Sequence, residues 1–167
     1  KSSSFELKVV PMKGAQYNLG LFHTDTVQGW VRDMQWPETG LFWISPSPNM
    51  PTYETALLYS GMGLFESVSV SVGRGTTRPF EYIGAPYVSW NVREQLAQES
   101  IEGVVFRELY FLPTFDKYVG TTCGGIQIVA TSPEKFRPLF TALHVLRKLM
   151  TLHPNNVTVT DYFDLLM

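Results

Sequence analysis

Length, composition and charge exclude several classes of protein. The chain has 167 residues, 44% of them hydrophobic and 17% charged, which is typical of a single globular domain and not of a disordered segment. A net charge of −2 gives no electrostatic basis for binding nucleic acid or an anionic membrane surface. No apolar run is long enough to span a membrane, and the opening KSSSFELKVV lacks the pattern of a signal peptide.

Residues that could bind a metal or act as nucleophiles are sparse. Cys123 is the single cysteine, so it cannot form an internal disulfide, and it most simply fills space. His23, His144 and His153 are scattered without metal-ligand spacing, and we expect no metal and no cofactor. His23 and Asp25 could pair as a base and its orienting carboxylate, although such residues in a loop are usually solvated.

The first third of the chain predicts little regular structure. FELKVVPM, residues 5–12, is apolar and β-branched and predicts a buried strand. Residues 15–29 have no clean period and predict a loop. The prolines and glycines that follow indicate an irregular segment with one short strand at LFWIS, residues 41–45.

PTYETALLYSG, residues 51–61, predicts a helix. Pro51 suits a first turn, Glu54 complements the dipole at the N-terminus, and Gly61 is expected to end the helix.

GLFESVSVSVG, residues 63–73, alternates residue by residue and predicts a strand. On that strand Glu66 would share a face with Val68, Val70 and Val72. An apolar face is an unfavourable place for a carboxylate unless the carboxylate is paired or functional.

The second half alternates between helices and strands. The predicted elements are a helix over 88–101, strands over 104–115 and 124–132, and a long helix over 133–153 capped by Ser132. An apolar stripe on the long helix comprises Phe136, Phe140, Leu143, Leu146 and Met150, and His144 beside it is expected to be packed rather than catalytic. TVTDYFDLLM resembles the first turns of another helix. The pattern predicts an α/β (α+β) fold, with helices packed on a mixed sheet.

The segment VGRGTTRPFEYIGAP, residues 72–86, is the strongest candidate for a ligand-binding loop. Its glycines match neither a dinucleotide-binding fingerprint nor a phosphate-binding loop with its lysine, so a phosphate site is disfavoured. Arg74 lies between two glycines and could grip a carboxylate with its guanidinium. The alternative, weighted more heavily on spacing alone, is that Arg74 and Arg78 form ion pairs with Glu66 or Glu81 that hold the loop.

Two carboxylates facing one cleft would permit glycosidic acid–base chemistry. Glu66 is the most interesting candidate, Glu81 lies in the loop described above, and Glu54 is most simply a partner of the helix dipole. A buried Glu66 satisfied by an arginine is at least as well supported by the sequence as a catalytic one.

Several long motifs resemble one family. They are VVPMKG, WVRDMQWPETGLFWISPSPNMPT, ETALLYSGMGLFES, GRGTTRPFEYIGAP, CGGIQIVAT and FRPLFTAL. Together they resemble the YbbC-like proteins, long described as a domain of unknown function and linked to exo-β-N-acetylmuramidases of the NamZ type. The resemblance spans nearly the whole chain.

The resemblance implies a bacterial cell-wall hydrolase that releases N-acetylmuramic acid from the non-reducing end of peptidoglycan fragments. Family members have a Rossmann-like N-terminal domain and a C-terminal α/β domain with the active cleft between them. Residues 1–167 resemble the second domain, truncated at both ends, so the Rossmann-like half would be a partner of this chain. The family's G-P-E-H-G segment, with its catalytic glutamate, has no counterpart here, so the resemblance implies that the main catalytic acid lies in the missing N-terminal half, with Glu66 as a candidate within this chain.

The resemblance also implies a set of substrate-binding residues. They are Asn49, Glu66, Arg74, Gly75, Thr76, Thr77, Arg78 and Glu81. Because muramic acid carries a lactyl carboxylate, we assign Arg74 to grip that group, with Arg78 as the substitute. A secreted or periplasmic location is implied by the family.

The chain departs from the family pattern in two places. Residues 15–29 form an insertion between VVPMKG and the W-x-R-x-M segment, and Ser45 replaces a common asparagine. Both leave the exact substrate open. Two alternatives also stay open: a non-catalytic carbohydrate-binding or scaffold module, and an interaction domain whose exposed tryptophans (Trp30, Trp36 and Trp43) bind protein.

Overall fold

The computed structural model describes residues 34–166, and the chain divides into two units, residues 1–42 and 43–167. In the first unit the described part contains a short 3₁₀ helix, Trp36–Thr39, which ends at Gly40 in the left-handed conformation. The strand predicted over 5–12 and the insertion predicted over 15–29 lie outside the described residues. The predicted domain boundaries stay a prediction.

The described part of the second unit, residues 43–166, forms three strands and four α-helices. In chain order these are α1 (Tyr53–Met62), β1 (Tyr82–Ala85), α2 (Asn91–Ala97), β2 (Val104–Phe111), β3 (Cys123–Ala130), α3 (Pro138–Leu152) and α4 (Phe163–Leu166). A 3₁₀ helix, Gly63–Ser67, continues directly from α1. The predicted strand at residues 41–45 is wrong, because that stretch has no strand.

The sheet has the order β1-β3-β2, and both of its strand pairs are antiparallel. Gly84 lies opposite Gly125 between β1 and β3, and Phe111 lies opposite Cys123 between β2 and β3. The predicted α+β class is therefore confirmed, in a form whose described strands are all antiparallel. Strands predicted over 104–115 and 124–132 are confirmed over shorter spans.

Helix α1 begins where its sequence supplies a cap. The hydroxyl of Thr52 accepts a hydrogen bond from the backbone N–H of Thr55 at 3.2 Å, and Glu54 lies in the first turn as predicted. Such a cap stabilises a helix by about 1 kcal/mol. Pro51 lies before the cap and not in the first turn, and Gly61 does not end the helix, which continues to Met62.

The predicted strand over residues 63–73 is wrong. The chain forms the 3₁₀ helix through Ser67 and then an irregular segment, residues 68–72, with a turn at Ser69, a bend at Val70 and two isolated bridges, Val68 to Val159 and Ser71 to Gly84. The valines of the segment are buried as the alternation suggested, but Ser71 on the opposite side is buried too. Burial on both sides explains why alternation here does not mark a two-faced strand.

Helices α2 and α3 are shorter than predicted. Helix α2 spans Asn91–Ala97, not residues 88–101. Helix α3 begins at Pro138 after Arg137, so Ser132 does not cap it. The predicted apolar stripe is wrong at Phe140, Leu143 and Met150, which are exposed, since the buried face is formed by Thr141, Ala142, Val145, Leu146 and Leu149.

The core lies between the sheet and helices α1, α2 and α3. Among its fully buried side chains are Phe65, Phe80, Ile83, Ile126 and Ile128. None of the helices formed by residues 34–166 has the length and hydropathy needed to cross a membrane.

Candidate functional site

The loop between residues 68–72 and β1 is tightly wound. Gly73 and Gly75 have φ values of +74° and +79°, in the left-handed region that glycine adopts without strain. Thr76 closes the turn, because its N–H and its hydroxyl both donate to the Gly73 carbonyl, at 3.1 and 2.6 Å. Phe80 is a bulky residue with φ +62°, a strained conformation that the buried packing of its ring maintains.

A second loop, residues 112–122 between β2 and β3, packs against the first. The N–H and the hydroxyl of Thr114 both donate to the Gly75 carbonyl, at 3.0 and 2.8 Å. The approach is so close that a Cβ on Gly75 would lie 2.6 Å from the backbone nitrogen of Phe115. Glycine is therefore required at position 75 by both conformation and space.

Arg74 points into the space between these loops and pairs with Glu66. Its Nε donates to Oε1 of Glu66 at 3.0 Å, and its Nη2 donates to the same oxygen. Oδ2 of Asp116 lies 3.9 Å from Nε, and the guanidinium carbon lies 5.0 Å from the centre of the Phe80 ring. The predicted alternative for Arg74, an ion pair with Glu66, is confirmed.

Lys117 lies beside this pair but faces the backbone. Its Nζ donates to the carbonyl oxygens of Phe65, Glu66 and Val68 at 3.0, 2.9 and 2.6 Å. Burial lowers the pKa of Lys117, and the negative charges of Asp116 and Glu66 act in the opposite direction.

These residues line a cleft of about 560 Å³. Its described lining comprises Glu66, Val72, Arg74, Phe115, Asp116, Lys117 and Tyr162. Phe115 and Tyr162 are 49% and 48% exposed, so each presents about half of its side chain to solvent. The cleft thus combines an arginine, two carboxylates and two accessible aromatic rings, a set that can bind a polar ligand with an apolar face.

The structure brings only part of the predicted site together. Glu66 and Arg74 line the cleft, whereas the remaining predicted residues are outside its described lining: Asn49, Gly75, Thr76, Thr77, Arg78 and Glu81. Gly75 and Thr76 shape the loop behind Arg74, and Thr77 is exposed. Asn49 is half-buried, and its N–H donates to the hydroxyl of Ser47 at 3.2 Å.

Glu81 is buried and surrounded by hydrogen-bond donors. Its carboxylate accepts from the Thr55 hydroxyl at 3.1 Å and from the Gln127 amide at 3.3 Å. Nη1 of Arg78 lies 3.4 Å from both of its oxygens. The ion pair predicted between Arg78 and Glu81 is confirmed, and the hydrogen bonds of Glu81 to Thr55 and Gln127 anchor the loop to α1 and β3.

Two other candidates from the sequence, His144 and Cys123, lie outside the described lining of the cleft. His144 is half-buried, and its Nδ1 lies 2.7 Å from a carboxylate oxygen of Glu99. Cys123 is buried at the start of β3, and burial raises the pKa of its thiol to about 11. His23 and Asp25 lie outside the described residues. Within residues 34–166, no group of His, Cys, Asp and Glu side chains is arranged to hold a metal ion.

Four residues of the cleft lie outside the predicted loop and the predicted site: Phe115, Asp116, Lys117 and Tyr162. The predicted strand over 104–115 includes Phe115, but β2 ends at Phe111. The available signal was the cluster of Pro, Asp and Lys in LPTFDKY, which is typical of a loop and not of a strand.

Comparison with known proteins identifies the family. Residues 57–167 match the family described as "Exo-beta-N-acetylmuramidase NamZ, C-terminal". The chain is 43% identical over 128 residues to the peptidoglycan β-N-acetylmuramidase NamZ of Bacillus subtilis (strain 168), covering 76% of this chain and 31% of that protein. The chain therefore belongs to the NamZ C-terminal domain family, as the resemblance predicted.

Solved structures agree with this membership. A DUF1343 family protein from Bacteroides fragilis NCTC 9343 superimposes with a TM-score of 0.72 at 27% identity, over 81% of this chain and 35% of that chain. A second DUF1343 protein from the same organism, at 23% identity and a TM-score of 0.52, shows the shared fold over 73% of this chain and 32% of that chain. The chain spans about a third of the length of the relatives it matches.

Proposed function

We propose that the full-length protein is an exo-β-N-acetylmuramidase acting on peptidoglycan fragments, and that this chain binds the muramic acid residue in the cleft beside Arg74. The activity is that of the NamZ relative at 43% identity. The observation that carries the binding role is the pair of Arg74 and Glu66 in a cleft flanked by the half-exposed rings of Phe115 and Tyr162.

The chemistry of a pyranose fits this cleft. A sugar ring has apolar C–H faces that pack on aromatic rings, and Phe115 and Tyr162 offer such surfaces. Its hydroxyls need acceptors and donors, which carboxylates and a guanidinium supply. Asp116 is more than a third exposed, and Oε2 of Glu66 accepts no hydrogen bond from the described residues, so both can accept from hydroxyls.

A cation is a favourable partner for the lactyl carboxylate of muramic acid, and of the cations in the described cleft lining, Arg74 is better placed than Lys117. All three protons of the Lys117 ammonium are directed at backbone carbonyls. Arg74 uses Nε and Nη2 for Glu66, and its Nη1 has no hydrogen-bond partner among the described residues. We therefore keep the assignment of Arg74 to the lactyl carboxylate, with Arg78 as the substitute.

The catalytic pair is proposed to lie largely outside this chain. Glycosidases of the usual kind need two carboxyl groups with separate roles. Glu66 already holds Arg74 through one oxygen, which suits it to orient the substrate and the arginine.

Because peptidoglycan lies outside the cytoplasmic membrane, the proposed substrate also implies a secreted or periplasmic location, which cell fractionation would test.

The experiment is a comparison of two glycosides on the full-length protein. Arg74→Ala is expected to lower kcat/KM for a muramic acid glycoside by about tenfold or more, the size of a lost charge-assisted hydrogen bond. The matching N-acetylglucosamine glycoside lacks the lactyl group and should change by much less. Arg107→Ala, which removes an exposed arginine of β2 outside the described cleft lining, is the matched control. Unaltered discrimination between the two sugars in Arg74→Ala would contradict the assignment.

A further inference from the structure

Lys117 lines the cleft, but its ammonium group donates its hydrogen bonds to backbone carbonyl oxygens of the protein itself. Its Nζ lies 3.0, 2.9 and 2.6 Å from the carbonyl oxygens of Phe65, Glu66 and Val68. An ammonium carries three protons, so these bonds use its full donor capacity. The side chain lines the cleft without having a donor left for a ligand.

The three carbonyls belong to the end of the 3₁₀ helix Gly63–Ser67 and to the residue after it. A helix end presents carbonyl oxygens that lack partners within the helix, and a cation there is favourable. Glu66 lies in this last turn, and its own carbonyl is one of those bound. The position of the Glu66 backbone is therefore fixed by a side chain from the loop between β2 and β3, 51 residues away in sequence.

The backbone around Lys117 is held in a costly conformation. Asp116 and Tyr118 have φ values of +68° and +59°. Left-handed backbone in residues other than glycine persists only where surrounding contacts maintain it. Here the Tyr118 hydroxyl donates to the Ser69 carbonyl at 2.8 Å, and Thr114 binds Gly75. The strained residues flank Lys117 and aim it at the 3₁₀ helix.

We propose that Lys117 is a positioning residue, whose ammonium holds the turn carrying Glu66 in place so that Glu66 keeps Arg74 oriented toward the ligand. This inference rests on the proposed function, because it assigns Lys117 to the same sugar-binding cleft. Lys117 acts through Glu66 and does not itself contact the sugar. Loss of the Lys117 ammonium therefore weakens sugar binding only when Glu66 is present to orient Arg74.

The test is a double-mutant cycle on the full-length protein with a muramic acid glycoside. Lys117→Met keeps most of the side chain's length and removes the charge, and we expect it to raise KM by about tenfold with a smaller effect on kcat. In a Glu66→Gln background the same substitution should raise KM by less than about threefold, because the residue it acts through is already altered. Lys148→Met removes another partly buried ammonium, bound to Glu99 outside the described cleft lining, and should leave KM unchanged.

Lys117→Arg keeps the positive charge, but its planar guanidinium cannot direct donors at three carbonyls around one point. Lys117→Arg is expected to raise KM by about three- to tenfold. If Lys117→Met fails to fold, this variant tests whether Lys117 positions Glu66. A wild-type KM in Lys117→Arg, or equal effects of Lys117→Met in both backgrounds, would overturn the inference.

The outcomes separate this inference from the proposed function. If Glu66→Gln and Arg74→Ala leave KM unchanged, the cleft does not bind the sugar, and the proposed function fails together with the inference. If those two variants raise KM while folded Lys117→Met keeps the wild-type value, the inference alone fails.

Discussion

Thr114 binds the carbonyl oxygen of Gly75 twice, through its backbone N–H at 3.0 Å and its hydroxyl at 2.8 Å. The two residues are 39 positions apart in sequence, and their contact joins the loop that carries Arg74 to the loop that carries Lys117. A Cβ on Gly75 would lie 2.7 Å from the Thr114 nitrogen, so the junction tolerates no side chain.

Gly75→Ala is therefore expected to destabilise the protein by roughly 2–4 kcal/mol, from left-handed strain and from a clash with backbone that cannot move away. Gly120→Ala is the matched control. Gly120 has φ +70°, close to the +79° of Gly75, but a Cβ there would meet nothing within 4 Å. Its cost should be about 1–2 kcal/mol, from the strain alone. Urea denaturation measures both, and equal losses would refute the close-packed junction.

The aromatic walls of the cleft should contribute to sugar binding. Phe115→Ala and Tyr162→Ala are each expected to raise KM for a muramic acid glycoside about fivefold, the effect of losing about 1 kcal/mol of packing. Tyr110→Ala serves as a control, because Tyr110 is 63% exposed on β2 and is outside the described lining of the cleft. Steady-state kinetics of the full-length protein decides the matter, and a Tyr110 effect as large as the other two would argue against a specific site.

Acid should weaken the junction between α2 and α3. Burial of Glu99 opposes its ionisation, but hydrogen bonds from Lys148 and His144 and the charges of Lys148 and Arg147 outweigh that effect and lower its pKa from 4.5 to about 2. A carboxyl group whose pKa is lowered by folding stabilises the native state above its unfolded pKa. That contribution is lost as the pH falls from about 4.5 to about 2.

Glu99→Gln should therefore cost roughly 1–2 kcal/mol at pH 7, with solvent screening included, and progressively less below pH 4.5. The measurement is the free energy of unfolding of both proteins from pH 7 down to pH 2. A difference between them that does not shrink in acid would show that the ion pairs of Glu99 do not stabilise the fold.

The thiol of Cys123 should be unreactive toward thiol reagents in the native protein. Burial raises the pKa of its thiol to about 11, and its side chain is 0% exposed. The thiolate is the reactive form, so a thiol reagent at pH 8 should modify Cys123 only after denaturation. The time course of labelling in native and urea-denatured protein checks this expectation, and rapid modification of the native form would contradict the burial.

The sequence predicted the local features of the loop around Arg74 well. Composition indicated a loop around Arg74, and charge and spacing indicated ion pairs to Glu66 and Glu81, both of which are observed. These features depend on residues within about ten positions of one another, where turn chemistry and charge are directly informative.

The features that depend on distant residues could not be predicted in the same way. Alternation of valine and serine suggested a strand, but burial on both sides and long-range partners for Val68 and Ser71 set the conformation instead. The role of Lys117 depends on carbonyls 49 to 52 residues away, and no periodicity or motif encodes such a contact. Helix α3 shows a related limit, because apolar side chains occupy both its buried and its exposed faces.

The most direct measurement is a crystal structure of the full-length protein with a bound muramic acid-containing fragment. We expect the muramic acid ring beside Phe115 and Tyr162, with its lactyl carboxylate within hydrogen-bonding distance of the Arg74 guanidinium and Lys117 still bound to the 3₁₀ helix. A fragment bound elsewhere, with the cleft beside Arg74 empty of sugar, would contradict the account.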